Sequence, residues 1–503
     1  MHEQHLVRGA FVNLLGVIAK LIHPLFFIFI IRMFGTELVG VYFVATFLVQ
    51  VAVGAVTAGY NQGTILFASP HVQSGSEGEL YRVLANGFVI TLGLSLALLG
   101  LGHVAAEPLV ARFYSDRPEL LGALQILLLS LPFTAFTQVA IAATKAHMRM
   151  EYDALINGLI KPFALLGFAL VAYLLELGLP GLMWALVASQ ALLAVMALWG
   201  FRRHYSLRRT LAACFALRFE RELLSFAIPQ SLNMTFNRYV TRLDVIMLAA
   251  FGHSNHEVAF YSAAALITSS LREIKLAFGS ALAPIAARYH AARQREELEE
   301  AFGRVSRWTT TIVAPLILLV LVLRDDVLRL IDGGFVGDTR FMALLLVPPF
   351  LSCAVGLAGN LIVYTRHSRW NLANSVMVAG LNTGLNLLLI PSHGLLGAAA
   401  ATVTASAVIS AVQLVELYGL ERVRLRVGAI VKPHLGLVAM LVAAAALWDP
   451  AALQPLAARI GFGLALVVGF ALLMLLLRHE EAVRVLSRLR GGAPAVDNVP
   501  GPG

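Results

Sequence analysis

Five basic side chains interrupt the most apolar stretches of this sequence. They are Lys20, Arg238, Arg242, Arg272 and Lys275. A cation at the centre of a bilayer costs roughly 3 kcal/mol, and only Asp244 and Glu273 lie close enough in sequence to offset that cost. The surplus of positive charge predicts a hydrated cavity that receives an anion, with arginine favoured for two-point contacts to phosphate. The alternative is that these cations pair with the two acids and with carbonyl groups at helix ends.

Polar side chains accompany the cations along single helix faces. At 100° per residue, a helix over 223–251 places Arg238 and Asp244 on its polar half and Leu243 on the opposite half. One-sided placement on this and other helices predicts that the cavity has a polar lining of Asn13, Gln50, Asn61, Asn237, Thr268 and Asn382. Asp244 is the predicted coupling or gating carboxylate, and Pro24 is a predicted bend in the first helix. The alternatives are that Asp244 is a static partner of Arg242 or an acid at the end of a loop.

Several other chemistries lack the residues that they need. The sequence has no GxxxxGK[ST] motif, so it does not encode a nucleotide-driven pump. Cys214 and Cys353, the two cysteines, stand in a basic loop and an apolar helix, which provides neither a disulfide framework nor a thiolate metal site. His253 and His256 have no cluster of further ligands around them and are expected to be solvated loop residues. We therefore expect no cofactor and no metal.

The elements that position these residues are predicted to be transmembrane helices. Of the 503 residues, 59% are hydrophobic and 13% are charged, about half the charged fraction of a soluble chain. Apolar windows long enough to cross a bilayer predict fourteen spans and leave no room for a large soluble domain. The spans cover residues 10–31, 39–62, 83–106, 119–144, 154–176, 181–201, 223–251, 257–285, 308–323, 341–363, 371–390, 395–418, 433–449 and 457–477.

The loops between these spans carry very unequal positive charge. Of the 38 Lys and Arg residues, 25 fall on one side of the predicted membrane and six on the other. The positive-inside rule then places both termini in the cytoplasm. Because the basic excess follows topology, the net charge of +9 is no argument for nucleic-acid binding.

A short motif recurs near the start of each half of the chain. Phe34-Gly35 precedes Tyr42, and Phe251-Gly252 precedes Tyr261, at an offset near 217 residues. The repeat predicts two six-helix lobes, as in secondary transporters that bind their substrate between halves. The predicted organisation is residues 1–201 for the first lobe, 202–222 for a basic cytoplasmic loop, 223–418 for the second lobe, 419–477 for two additional helices and 478–503 for a disordered cytoplasmic tail.

Two stretches of the sequence carry a resemblance to a known family. One begins LVRGAFVNLLGVIAKLIHP and continues through Arg32, Gly35, Gly40 and Tyr42, and the other is Tyr261-Ser262-Ala263-Ala264. Both resemble the polysaccharide-biosynthesis flippases of the multidrug/oligosaccharidyl-lipid/polysaccharide (MOP) exporter superfamily. The resemblance implies an all-α inner-membrane protein with two pseudo-symmetric six-helix lobes in a V and two further helices. It implies export of undecaprenyl-pyrophosphate-linked oligosaccharide by alternating access. The expected partners are that glycan, membrane lipids, and a polysaccharide polymerase with other assembly proteins.

One residue pattern departs from that of the family, and three other functions are alternatives. Asn61-Gln62-Gly63 stands where members of the family often carry an arginine, which puts one substrate contact in doubt. A lipid II flippase is the nearest alternative. A multidrug exporter of the same superfamily usually needs membrane acids in the first lobe, and none lies near the midplane of the first six predicted helices. A membrane glycosyltransferase, ligase or polymerase would need a longer outer loop than any predicted.

Overall fold

The computed structural model describes the backbone of residues 2–147, 149–216, 218–333, 337–355, 357–364, 368–424, 427–447 and 455–477, and the side chains of most of these residues from 27 onward. Its helices are α1 (His2–Ser74), α2 (Glu77–Phe113), α3 (Glu119–Leu128), α4 (Ser130–Ala146), α5 (Glu151–Asp153), α6 (Lys161–Leu174), α7 (Gly178–Arg202), α8 (Leu207–Phe215), α9 (Arg221–Ala250) and α10 (Asn255–Ser270). A π-helical turn, Ala154–Ile160, joins α5 to α6. Then follow α11 (Arg272–Ala291), α12 (Arg295–Val322), α13 (Arg324–Ile331), α14 (Arg340–Leu345), α15 (Val347–Ala354), α16 (Leu357–Tyr364), α17 (Ser368–Glu421), α18 (Val427–Leu447) and α19 (Leu456–Leu476).

Two of these helices are each two predicted spans joined at a glycine. In α1 the backbone of Gly35 has φ 79°, and in α17 that of Gly394 has φ 53°. A side chain with a Cβ rarely adopts such left-handed angles, so glycine permits the sharp turn. The chain therefore connects the spans 10–31 and 39–62, and 371–390 and 395–418, through a tight kink instead of the short loop expected from the sequence.

The predicted fold class is confirmed: the protein is an all-α, polytopic membrane protein. Over the described residues, all fourteen predicted spans are helical apart from short turns. Eight helices in the described part of the chain are long and apolar enough to cross a membrane by length and composition, and two of them are the kinked helices α1 and α17. The charged α9 is not among these eight, because its basic and acidic residues lower its apolar character.

The chain divides into two compact units. The first unit contains residues 1–273, 328–348 and 366–411, and the second contains 274–327, 349–365 and 412–503. In the first unit, one apolar core joins α2, α4, α7 and the second arm of α1; its aromatic centre is Phe88, whose ring lies 5.4 Å from that of Phe201. The lobe boundaries at 201 and 223 stay predictions, and the tail 478–503 lies outside the described residues.

In the second unit, α18 and α19 pack against α12. Ala314 and Leu318 of α12 share an apolar cluster with Leu437 of α18 and with Phe470 and Met474 of α19. Near the start of α19, Arg459 binds both carboxylate oxygens of Asp326 at 2.5 and 2.7 Å. Within the second unit, an apolar face and a two-point ion pair therefore hold the two additional helices against the neighbouring elements.

The two turns of the sequence repeat each contain a glycine with the same left-handed φ. Gly35 and Gly252 both have φ 79°, and each directly follows a phenylalanine at or just beyond the end of a predicted span. A common left-handed glycine at equivalent points is what a duplicated helix-turn-helix predicts.

Candidate functional site

Two of the predicted cavity cations lie on α9 and contact the second arm of α1. The guanidinium carbon of Arg242 stands 4.3 Å from the ring centre of Phe47, a cation–π contact. The aliphatic part of Arg238 packs on Gly54, where an added Cβ would lie 2.9 Å from its Cδ. Both arginines are half-buried, and neither has an acidic partner among the described side chains.

Positive charge is concentrated around Arg242. Arg238 and Arg272 are both near enough to act on it electrostatically. Like charges at short range repel, and burial strengthens that repulsion because the dielectric constant is low. A site of this kind is stabilised by a bound anion. Lys275 lies half-buried on α11 in the second unit, so its place beside these arginines stays a prediction.

Asp244 is the centre of a buried hydrogen-bond network. Its carboxylate accepts from the Tyr261 hydroxyl at 2.7 Å, from the Thr402 hydroxyl at 2.5 Å and from Asn386 Nδ2 at 3.1 Å. These donors come from α10 and from the two arms of α17. The predicted alternative, a static pair with Arg242, does not appear in this structure, because the hydrogen bonds to Asp244 come from neutral groups.

The network extends to the predicted lining residue Asn382. Asn382 Nδ2 donates to Thr402 at 3.4 Å, and Asn386 donates to the side-chain oxygen of Asn382. The Asn386 Oδ1 atom is buried and has no hydrogen-bond partner in the described part of the structure. A buried acceptor without a donor is costly, so this end of the network has unused capacity to bind a proton donor or a cation.

The remaining lining residues have different surroundings. Asn61 donates to Gln138 Oε1 of α4 at 2.9 Å, and Gln50 is half-buried on α1. Thr268 is buried, and its hydroxyl donates to the carbonyl of Ala264 within α10. The side chains of Asn13, Lys20, Pro24 and Asn237 lie outside the described residues, so the roles predicted for them stay predictions.

Glycines bring the second arm of α1 against α9; we call this contact the α1–α9 seam. The backbone N–H of Gly59 donates to the Ser231 hydroxyl at 3.1 Å, and a Cβ at Gly59 would lie 1.9 Å from the Ala227 carbonyl oxygen. One turn further, Gln230 donates to Gln62 Oε1 at 2.6 Å. Asn61-Gln62-Gly63, where the sequence departs from the family, therefore adjoins this seam.

A second set of contacts lies near the loops on the predicted outer side. Arg117 is only 2% exposed; its Nε donates to Asn255 Oδ1 at 2.6 Å and its Nη2 donates to the His253 carbonyl. The Thr36 hydroxyl and His256 Nδ1 are 2.8 Å apart. The sequence-based expectation that His253 and His256 are solvated loop residues is only partly right, since both contact residues from distant parts of the chain.

Sequence reasoning missed several members of these sites. Phe47 and Gly54 look like ordinary residues of an apolar span, and Thr402 is far from Asp244 in sequence. Tyr261 and Asn386 were predicted to lie on polar helix faces, but their contact with Asp244 was not predicted. Among the described residues, no group of three or more His, Cys, Asp or Glu side chains could hold a metal ion.

The helical fold defines a multi-pass membrane protein built like the transporters of the MOP superfamily. A solved inward-facing MATE family multidrug resistance transporter of that superfamily is 15% identical, with a TM-score of 0.65 over 82% of this chain and 99% of that one. The lipid II flippase MurJ in an inward closed conformation is 14% identical, with a TM-score of 0.68 over 97% of this chain and 99% of that one. An outward-facing MATE transporter is 16% identical, with a TM-score of 0.60 over 83% and 95%.

The sequence itself gives the narrower assignment. Residues 29–334 match the family described as polysaccharide biosynthesis protein, and the chain belongs to that family. A comparison with curated protein sequences found no significant match.

Proposed function

We propose that this protein is a secondary transporter, not an enzyme, that flips undecaprenyl-pyrophosphate-linked oligosaccharide across the bacterial cytoplasmic membrane by alternating access. The cargo would supply O-antigen, capsule or exopolysaccharide synthesis, and both termini would be cytoplasmic. The observation that carries the proposal is the pair Arg238 and Arg242, half-buried without acidic partners in a chain of the polysaccharide biosynthesis family. Such a pair needs an anion, and the pyrophosphate of this cargo is one.

The geometry of the two arginines suits a diphosphate. A planar guanidinium donates two parallel hydrogen bonds to phosphate oxygens, and the Arg242 guanidinium is held 4.3 Å from the centre of the Phe47 ring. Gly54 leaves room for Arg238 to lie along α1. Arg272 is near enough to Arg242 to act on it electrostatically. Lys20 and Lys275 are the further predicted contacts.

The Asp244 network is the proposed coupling element. With no nucleotide motif, the transport cycle must draw on an ion gradient or on the membrane potential, which provides about 2.3 kcal/mol per elementary charge at 100 mV. A charged Asp244 holds α9, α10 and α17 together through Tyr261, Asn386 and Thr402. Neutralisation of the carboxylate by a proton or a cation would weaken these bonds and change the packing of the three helices.

Helices α18 and α19 are proposed to serve the lipid tail. Leu435, Val438 and Val442 of α18 are each more than half exposed, and so are Leu464 and Val468 of α19. A polyprenyl tail must remain in hydrocarbon while its glycan crosses through water, so an apolar border beside the second unit would guide it. A stabilising or dimerising role for the pair is the alternative; the packing of both helices on α12 supports the stabilising role.

A lipid II flippase is the second candidate. It is favoured by the match to a structure of that activity over 97% of this chain, compared with 82–84% for the MATE transporters. Lipid II also carries a polyprenyl pyrophosphate, so the arginines would serve both cargoes. The glycan must therefore distinguish the two functions.

The test is flipping in proteoliposomes that contain either lipid II or an undecaprenyl-pyrophosphate oligosaccharide. We expect transport of the oligosaccharide lipid, abolished in Arg242→Gln and retained in the control Arg112→Gln, whose arginine is exposed on α2. Transport of lipid II alone would establish the second candidate. Normal transport by a folded Arg238→Gln, Arg242→Gln double variant would refute the cationic site.

A further inference from the structure

The segment between α7 and α9 exposes large apolar side chains next to arginines. Its nine-residue helix α8 begins after Ser206, whose hydroxyl accepts from the Arg209 backbone N–H at 3.5 Å. Leu211 is 58% exposed and Phe215 is 92% exposed, and these residues lie one turn apart on the same face. Phe219 follows at 66%. In a water-filled environment this arrangement would be unfavourable, since all three side chains would lose their hydrophobic stabilisation.

Contacts with α2 fix the segment in place. The Ser206 backbone N–H donates to the Tyr81 hydroxyl at 3.0 Å, and Arg209 forms an ion pair with Glu77. Beyond α8, Asn86 Nδ2 donates to the Arg218 carbonyl at 2.8 Å. These partners all lie within the first ten residues of α2, so the segment follows the beginning of that helix.

The length of α2 sets the depth of the segment. Its 37 residues extend for about 55 Å at 1.5 Å per residue, whereas the hydrocarbon layer is about 30 Å thick. The predicted span begins at residue 83, so the turn that carries Glu77 and Tyr81 lies at the level of the lipid headgroups. The segment beside it is then neither in the hydrocarbon centre nor in bulk cytosol.

The charge of the segment selects its partner. Arg208 and Arg218 are exposed, and no acidic side chain in the described structure pairs with either of them. On the neighbouring end of α7, the guanidinium of Arg203 lies 4.0 Å from the centre of the Trp199 ring, an aromatic group at the same boundary. A leaflet of acidic phospholipids has apolar acyl chains beneath anionic headgroups. The exposed apolar side chains complement the acyl chains, and the arginines beside them complement the headgroups.

We propose that residues 206–216 and 218–219 form an interfacial anchor, in which Leu211, Phe215 and Phe219 insert between lipids while Arg208 and Arg218 bind the phosphates of anionic phospholipids. The anchor rests on the predicted orientation of the chain and on the exposures above, and it does not depend on the cargo. It connects the last helix of the first predicted lobe to the first helix of the second. Anionic lipid would therefore hold this connection at the membrane surface.

The test uses the full chain, purified without cargo and placed in nanodiscs of phosphatidylcholine with or without 30% phosphatidylglycerol. We expect phosphatidylglycerol to raise the unfolding temperature and to be retained in native mass spectra. The Arg208→Gln, Arg218→Gln variant should lose roughly 30-fold in affinity for that lipid, since each arginine near a membrane contributes about 1 kcal/mol. Arg112→Gln, an exposed arginine at the other end of α2, is the matched control.

Two results would overturn the anchor. One is equal retention of phosphatidylglycerol by the double variant and the control. The other is protection of a label at position 212 by a soluble assembly protein and not by either lipid, which would make the exposed face a protein-docking surface. Both readouts are independent of transport, so a failure here is distinguishable from a failure of the proposed flippase function.

Discussion

Replacing Arg117 with alanine should destabilise the protein far more than replacing any exposed arginine. The buried guanidinium donates two hydrogen bonds, to Asn255 Oδ1 and to the His253 carbonyl. Hydrogen bonds of charged groups contribute about 1.5–3 kcal/mol each. The Nη1 atom is buried without a partner in the described structure, so its removal should stabilise the folded state by about 1 kcal/mol. The expected net loss is about 3 kcal/mol, or roughly 150-fold in the unfolding equilibrium constant.

The loss of Arg117 is measured as the free energy of unfolding of the full chain in mixed micelles with increasing denaturing detergent. Arg112→Ala is the control and should change stability by less than about 0.5 kcal/mol, as exposed substitutions usually do. Arg117→Lys should lie between the two, because an ammonium retains the charge but not the two-point geometry. If Arg117→Ala unfolds like the control, Arg117 does not stabilise the contact between these two outer loops, and our account of this contact is wrong.

Three further predictions concern other contacts. Gly59→Ala should cost about 1–3 kcal/mol by forcing the α1–α9 seam apart, whereas Gly93→Ala, which has open space around it, should be neutral or stabilising in the same unfolding assay. Asp326→Asn should break the two-point pair with Arg459 and selectively increase proteolysis between α18 and α19; unchanged cleavage would contradict this role. Burial lowers the pKa of His204, and nearby arginine charge lowers it further. Because the unfolded chain then binds more protons than the folded chain, the free energy of unfolding should fall as pH drops below about 6.5. His204→Gln should flatten that pH dependence, and an identical slope would refute it.

The spans were predictable because membrane depth leaves the sequence few options. Backbone groups in hydrocarbon must be satisfied within helices, so long apolar runs specify helix positions directly. The turns were predictable in position but not in conformation: Gly35 and Gly394 were expected to belong to short loops, and each is a single non-helical residue at which two helices meet in a tight kink. Only the backbone conformation distinguishes these two outcomes, and many sequences permit either one.

Within the site, helical periodicity identified residues that share a face but not the residues that they meet. Arg238, Arg242 and Asp244 were correctly placed on one helix, yet the partners of Asp244 come from positions up to 158 residues away. Arg117 was counted only as one of six positive charges on the outer side, and a single sequence gives no sign that a loop arginine is buried. Long-range packing therefore determines which residues contact one another in the site, and helical periodicity alone does not predict those contacts.

In the repeat, the position equivalent to Asp244 differs between the two copies, which bears on the proposed coupling of transport to an ion. At the offset of 217 residues, the position equivalent to Asp244 is occupied by Phe27, whose ring lies 5.4 Å from that of Phe43 in an apolar core. The two copies of the repeat therefore differ at this point: one has an ionisable side chain, and the other has an aromatic side chain in an apolar core. In the proposed cycle, an ion that neutralises Asp244 would act directly on one copy only. The other copy would respond through contacts such as the α1–α9 seam, which joins a helix of each copy.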